Sequence, residues 1–176
     1  MKRTILVSGV VLACLVLTTA DLSAQGKWQI GGRLGMSLYT VSIKGYDYYY
    51  GSTTSTTSTS AGLQIGFTGE YLFNKQFAVG SDMNINTQAG TPIEWAAFFK
   101  AYFKVDSPNI RPYADGGFNL FFVTGGPFFG IRVGGGALFK VAPNVYIPAD
   151  LQLGIVFPTG ATVFYLAITS GIRYEI

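Results

Sequence analysis

The chain alternates apolar and polar residues with a period of two, and it does so in eight stretches. These are Lys27 to Leu38, Gly62 to Phe73, Phe77 to Asn86, Ile93 to Val105, Ile110 to Phe122, Phe129 to Val141, Val145 to Phe157 and Thr162 to Ile176. Period-two alternation predicts β-strands with two unlike faces. The first strand sets Trp28, Ile30, Leu34, Met36 and Leu38 against Gln29, Arg33 and Ser37, and the seventh sets Val145, Ile147, Leu151, Leu153, Ile155 and Phe157 against Asp150 and Gln152. Thirteen charged residues fall within the strands: Arg33, Glu70, Asp82, Glu94, Lys100, Lys104, Arg111, Asp115, Arg132, Lys140, Asp150, Arg173 and Glu175. Each lies on the opposite parity from the large apolar residues of its own strand. A soluble fold of these strands would have to hide the whole apolar face and wet the charged one. A closed ring of eight strands is too narrow to house all the apolar side chains. The pattern therefore predicts an inverted protein, an all-β, eight-stranded antiparallel up-and-down barrel with its apolar face toward lipid and its charges in the lumen.

The links support this order. Asn74-Lys75-Gln76, Asp106-Ser107-Pro108-Asn109 and Ala142-Pro143-Asn144 are tight turns. With an even strand count they share a side with both termini, the periplasmic one. Tyr39 to Ser60 is then the first external link. It holds Tyr46, Tyr48, Tyr49 and Tyr50 and an unbroken Ser/Thr tract from Ser52 to Ser60. Its low complexity predicts a mobile loop, serving either as a spacer or, through its tyrosines, as a contact surface for an external ligand. The outward aromatics sort into two girdles. Trp28, Tyr71, Phe73, Phe77, Phe103, Phe139 and Tyr174 lie near the periplasmic rim, and Trp95, Phe122, Phe129, Phe157 and Phe164 near the outer one.

Residues 1–24 read as a signal peptide. Lys2 and Arg3 precede the apolar run Ile5 to Leu17, and Leu22-Ser23-Ala24 offers a small-residue cleavage site, with Ala20 as an alternative. Cys14 raises lipidation as a further alternative. Residues 25–176 form one domain of 152 residues with neither Cys nor His. That leaves no disulfide, thiolate metal site or imidazole chemistry, and no cofactor motif is present. Without Lys2, Arg3 and Asp21, ten basic residues face eight acidic ones, too mild and scattered a charge for nucleic-acid binding.

Counted from the periplasmic end, Arg33, Glu70, Asp82, Lys100, Asp115, Asp150 and Arg173 fall at similar heights, with Glu94 and Arg132 higher in the lumen. Adjacent strands then suggest the pairs Arg33–Glu70, Asp82–Lys100, Lys100–Asp115 and Asp150–Arg173. Buried charges persist when paired, so the belt reads as a structural plug, with a narrow polar path as the alternative. A hydrolase built on a histidine is excluded. Glu70 and Asp82 as an acid–base pair are flanked by Arg33 and Lys100, which argues for structure. Gly134-Gly135-Gly136 sits inside a strand with no helix after it, so it is not a phosphate loop but relief for crowding.

The chain resembles the small eight-stranded outer-membrane barrels of the OmpX/Ail, OmpW and opacity type. The layout of leader plus about 150 residues carries this, as does Arg111-Pro112-Tyr113-Ala114-Asp115-Gly116-Gly117-Phe118, similar to the Pro-Tyr-x-x-x-Gly strand of such barrels. So does the C-terminus, where Gly171, Ile172, Tyr174 and Ile176 look like the signal read by the outer-membrane insertion machinery, with Ile176 where Phe is commonest. The resemblance implies an outer-membrane address, membrane lipid and the insertion machinery as partners, and a non-enzymatic surface role, structural, adhesive or protective. Its alternative is a narrow channel or a conduit for small apolar molecules. It names no extracellular ligand.

Overall fold

A computed structural model describes residues 26–47, 52–88, 91–123 and 125–176. Residues 1–24, which read as a signal peptide, and Tyr48, Tyr49 and Tyr50 lie outside them. Eight strands follow in order: β1 (Lys27–Asp47), β2 (Ser52–Leu72), β3 (Phe77–Asn86), β4 (Ile93–Tyr102), β5 (Ile110–Val123), β6 (Gly126–Ala142), β7 (Val145–Val156) and β8 (Ala161–Glu175). Each pairs antiparallel with the next, and β8 pairs with β1, so the sheet closes on itself. Closure satisfies every ladder position inside the ring, as a medium without water requires. A path of paired residues leaves β1 at Gly31, passes through Thr68, Asp82, Ala96, Asn119, Gly130, Val156 and Val163, and returns to β1 at Val41, ten residues farther along. With eight strands this stagger tilts each by about 40° from the barrel axis.

The apolar face points outward. Ile65 is 52%, Val133 61% and Leu151 47% exposed, whereas Arg33, Asp82 and Arg173 are buried. On β1 the outward apolar residues run from Trp28 to Leu38. At the tilt above, that is a height of about 25 Å, the thickness of an outer-membrane apolar band. Trp28, Tyr71 and Phe73 pack in sequence at the periplasmic rim, the first pair tilted and the second edge to face, with centroids 5.1 and 5.4 Å apart. Turns close the lower end with the expected chemistry. The Asn74 side-chain oxygen accepts from the N–H groups of Gln76 and Phe77, both at 2.8 Å, and Asn144 takes a positive φ of 61°. A Cβ on the lumen-facing Gly136 would run into the Ala149 carbonyl, so the triple glycine gives the sheet room there.

Three expectations need correction. First, Tyr39 to Ser60 is not a loop across its length. β1 continues to Asp47 and β2 starts at Ser52, paired without a break from Tyr39↔Ser60 to Asp47↔Ser52. Low complexity misled, because Thr is β-branched and favours an extended backbone, and a Ser/Thr strand needs no buried face when its partner supplies the ladder. Tyr46 thus belongs to β1 rather than to a loop. Second, the charge belt is not alone in filling the lumen. Leu72, Ala78, Tyr102, Tyr113, Leu138 and Tyr146 pack together at its periplasmic end, and Tyr39, Phe121, Val156 and Tyr165 at its outer end. Third, Lys104 and Lys140 are exposed and outside the lumen. β4 stops at Tyr102, so Lys104 lies beyond the strand, whereas Lys140 stays in β6, paired with Tyr146 at the last position before the β6–β7 register slips.

Two consequences of this architecture are measurable. The folded barrel resists carbonate extraction from membranes and runs differently on a gel before and after heating. Arginine at Ile131, Leu153 or Ile168 lowers the unfolding free energy in lipid by about 2–4 kcal/mol near the midplane, falling to about 0–1 at the rims, read from urea titrations in vesicles. Equal costs at all depths would contradict the outward assignment.

Candidate functional site in the lumen

Side chains on the inner face converge because the ring is narrow. Arg33 of β1 reaches past β2 to Asp82 of β3 at 2.5 Å, and its second nitrogen meets the Thr169 hydroxyl at 2.7 Å and Asp150 at 3.6 Å. Arg132 of β6 crosses the lumen to the same Asp82 oxygen at 2.6 Å. Arg173 of β8 holds Glu70 at 3.0 Å and Asp150 at 3.2 Å. Lys100 of β4 ends the series on Glu70. The result is one alternating chain, Arg132–Asp82–Arg33–Asp150–Arg173–Glu70–Lys100, which touches seven of the eight strands. All seven members are buried. Glu94 extends it beyond Arg132 at 4.0 Å. β5 joins through Tyr113, whose hydroxyl donates to Asp150, while Tyr102 donates to Glu70.

Glu94 occupies a second kind of environment. Gln64, Asn84, Asn119 and Tyr165 all donate to its two oxygens, at 3.3, 3.0, 2.9 and 3.1 Å. Neutral donors therefore carry most of the stabilisation of this buried carboxylate, with Arg132 at the side. Lys100 is enclosed differently, with the Tyr113 ring centroid 4.3 Å and the Phe98 centroid 5.0 Å from its nitrogen. At the periplasmic mouth Glu175 accepts from Lys27 at 2.6 Å and Gln29 at 2.9 Å, and lies 3.3 Å from Arg111.

The belt residues are inward as the alternation implied, but their partners differ. Only Asp150–Arg173 of the four suggested pairs is made. Arg33–Glu70 and Asp82–Lys100 fail because heights counted from strand ends ignore the stagger. Arg33 lies opposite Gly66, four residues above Glu70, and Lys100 lies opposite Ala78, four below Asp82. Lys100 and Asp115 are direct register partners, yet the lysine turns to Glu70 and is ringed by aromatics there. Asp115 is inward and makes no ion pair among the described residues, and its Oδ1 has no hydrogen-bond partner. Arg132, expected in the upper lumen, reaches down into the belt. The inward tyrosines were legible as parity exceptions: Tyr39, Tyr113, Tyr146 and Tyr165 all sit on the charged face of their strands. Ile172 and Tyr174 of β8 face outward, as does Ile176 just beyond it, and Gly171 lies where any Cβ would meet the Gly32 carbonyl. Among the described residues no cluster of His, Cys, Asp and Glu is placed to hold a metal ion.

The pairing pattern sets an order of sensitivity. Asp82→Asn takes the shared anion from two buried guanidinium groups at once and destabilises by about 3–5 kcal/mol. Asp115→Asn removes no ion pair and costs less than about 1 kcal/mol. Replacing Glu70 and Lys100 together by Leu and Met costs less than Glu70→Leu alone, because the single change leaves the lysine unpaired. Urea unfolding of the refolded variants in micelles ranks them, and an equal loss at Asp82 and Asp115 would refute the chain as described.

No protein-family model matches the chain, and no curated protein sequence does. Solved structures do. The N-terminal β-barrel domain of Pseudomonas aeruginosa OprF is 12% identical, covering 86% of this chain and 100% of that one, with a TM-score of 0.58. Neisserial surface protein A is 15% identical over 86% of this chain and 99% of its own, with a TM-score of 0.59. The outer-membrane protease OmpT of Escherichia coli is 10% identical over 90% of this chain and 98% of its own, with a TM-score of 0.53. A surface protein and a protease thus share one architecture, so activity does not follow from it. What the likenesses and the inverted surface establish together is that this chain has the fold of the outer-membrane β-barrels.

Proposed function

We propose that the protein is a closed, non-enzymatic outer-membrane barrel that anchors a stiff β-hairpin at the cell surface, in a structural or adhesive role. The observation that carries this reading is the filled lumen. The alternating ion chain spans it, and a side-chain cluster packs across each end, the outer one holding Tyr39 and Tyr165 stacked 5.6 Å apart with Phe121 edge-on to both. Buried guanidinium and carboxylate groups held on two or more partners do not move aside for a solute without leaving charge unpaired. The absence of histidine from the chain and the engagement of Glu70, Asp82, Glu94 and Asp150 by donors support a non-catalytic interior. The outward row Ile172, Tyr174 and Ile176 on the last strand supports recognition by the outer-membrane insertion machinery, and the Lys2–Ala24 pattern supports export by a cleaved leader. With the termini periplasmic, the β1–β2 hairpin stands on the outside of the cell.

Planar-bilayer recording tests the closed lumen. The folded protein gives no reproducible single-channel steps at neutral pH. Steps whose size changes when Arg132 or Glu94 is neutralised would replace this reading with that of a narrow pore.

A further inference from the structure

β2 is longer than the strand beside it. β1 covers it from Ser52 to Leu72, but β3 covers it only from Gln64 to Leu72. Among the described residues the last backbone hydrogen bonds on that side are at Leu63, whose carbonyl accepts from the Thr87 N–H and whose N–H donates to the Thr87 hydroxyl, each at 2.9 Å. In an antiparallel strand the backbone groups of alternate residues point to the same side. The N–H and C=O of Ala61, Thr59, Thr57, Ser55 and Thr53 therefore face the way Leu63 does, and among the described residues no strand meets them. This is an open sheet edge about 30 Å long. Such edges are ordinarily blunted by lysine, proline, a bulge or a covering segment. Ser52 to Ser60 has no lysine and no proline, and its pairing with β1 runs without a register shift. Ser55 to Ala61 are exposed.

The partner that fits these ten backbone groups in this spacing is another extended strand, and the tract itself is the best-matched one. It already forms Ser/Thr ladders within the hairpin, where the Thr40 and Thr59 hydroxyls lie 3.1 Å apart and those of Ser42 and Thr57 3.2 Å apart. Because every residue from Ser52 to Ser60 is Ser or Thr, the same ladder forms when the tract meets itself, in any register that keeps the edge-facing residues aligned. Symmetry selects the arrangement. A twofold axis along the membrane normal relates two copies in one membrane. It keeps both β2 strands pointing the same way and sets donor against donor. An axis perpendicular to the sheet makes the strands antiparallel and matches donors to acceptors, and it relates copies that point toward each other. We infer that the open edge of β2 pairs antiparallel with the same edge of a second copy held in a facing membrane, so that the protein joins two cells to each other. This rests on the reading of the hairpin as external.

The test uses full-length protein folded into two populations of phosphatidylcholine vesicles, one red and one green. Mixed clusters form when both populations carry it. The double variant Thr57→Pro/Thr59→Pro removes two edge-facing N–H groups and leaves those facing β1 intact, and it lowers mixed clustering at least tenfold. Thr57→Val/Thr59→Val keeps the backbone donors and clusters as the parent does. Thr57→Lys/Thr59→Lys, which keeps the ladder and charges the edge, abolishes clustering even if the proline variant folds poorly. No clustering by the parent, clustering when only one population carries protein, or clustering unchanged by both the proline and the lysine pairs would overturn the proposal. Heat-shifted gel mobility verifies the folded barrel in each sample. A folded, non-conducting barrel that does not cluster sinks the edge pairing alone, whereas single-channel steps count against the closed lumen.

Discussion

A charge taken out of water must find its opposite, and an inverted barrel concentrates that demand in its narrowest space. Lipid takes the whole outer face, so every ionised strand residue between the rims has to turn inward. There the ring leaves neither room nor water to shield them singly. The chain from Arg132 to Lys100 is the answer this sequence reaches. Each anion sits between two cations, and each arginine points its two terminal nitrogens at different carboxylates. The forked geometry of the guanidinium makes that sharing possible, and a lysine serves only at the end of the line.

The side chains above and below the ions follow from the same demand. Ionic contacts are strongest where water is excluded, and side-chain clusters built on Leu138 and Tyr146 at one end and Phe121 and Tyr165 at the other flank the ions. Tyrosine suits the boundary, since its ring joins the apolar layer while its hydroxyl reaches the ions. Tyr113 and Tyr102 do this from below, on Asp150 and Glu70, and Tyr165 from above, on Glu94.

How much of this was legible in the sequence depended on whether one strand or two had to be read. Parity is a property of a single strand, and it assigned Arg33, Asp82, Asp115 and Arg173 inward and Ile65, Val133 and Leu151 outward, as the structure has them. Partnership is a property of the ring. Lys100 finds Glu70 two strands away, and Arg132 finds Asp82 across the lumen, because stagger and long side chains together decide what is level with what. The Ser/Thr tract failed for a different reason. A solvated hairpin has no apolar face, so no alternation marks it, and the ladder that holds it lies in backbone groups common to all sequences. Tyr39 was lost with it, although it faces the lumen and stacks on Tyr165.

The seam between β1 and β8 carries a last implication, about time. Trp28 and Ile176 exchange both of their backbone hydrogen bonds, N–H to carbonyl at 3.3 Å in one direction and 2.8 Å in the other. The two strands that seal the ring stand at opposite ends of the barrel sequence. No partial product of synthesis contains a closed sheet, and a chain lacking β8 presents two raw edges together with an apolar exterior. Assembly must therefore wait until β8 is available, and the route from ribosome to membrane has to keep roughly 150 residues from associating with anything else. The closure that removes edges from the membrane-spanning ring is thus also what makes its precursor hazardous.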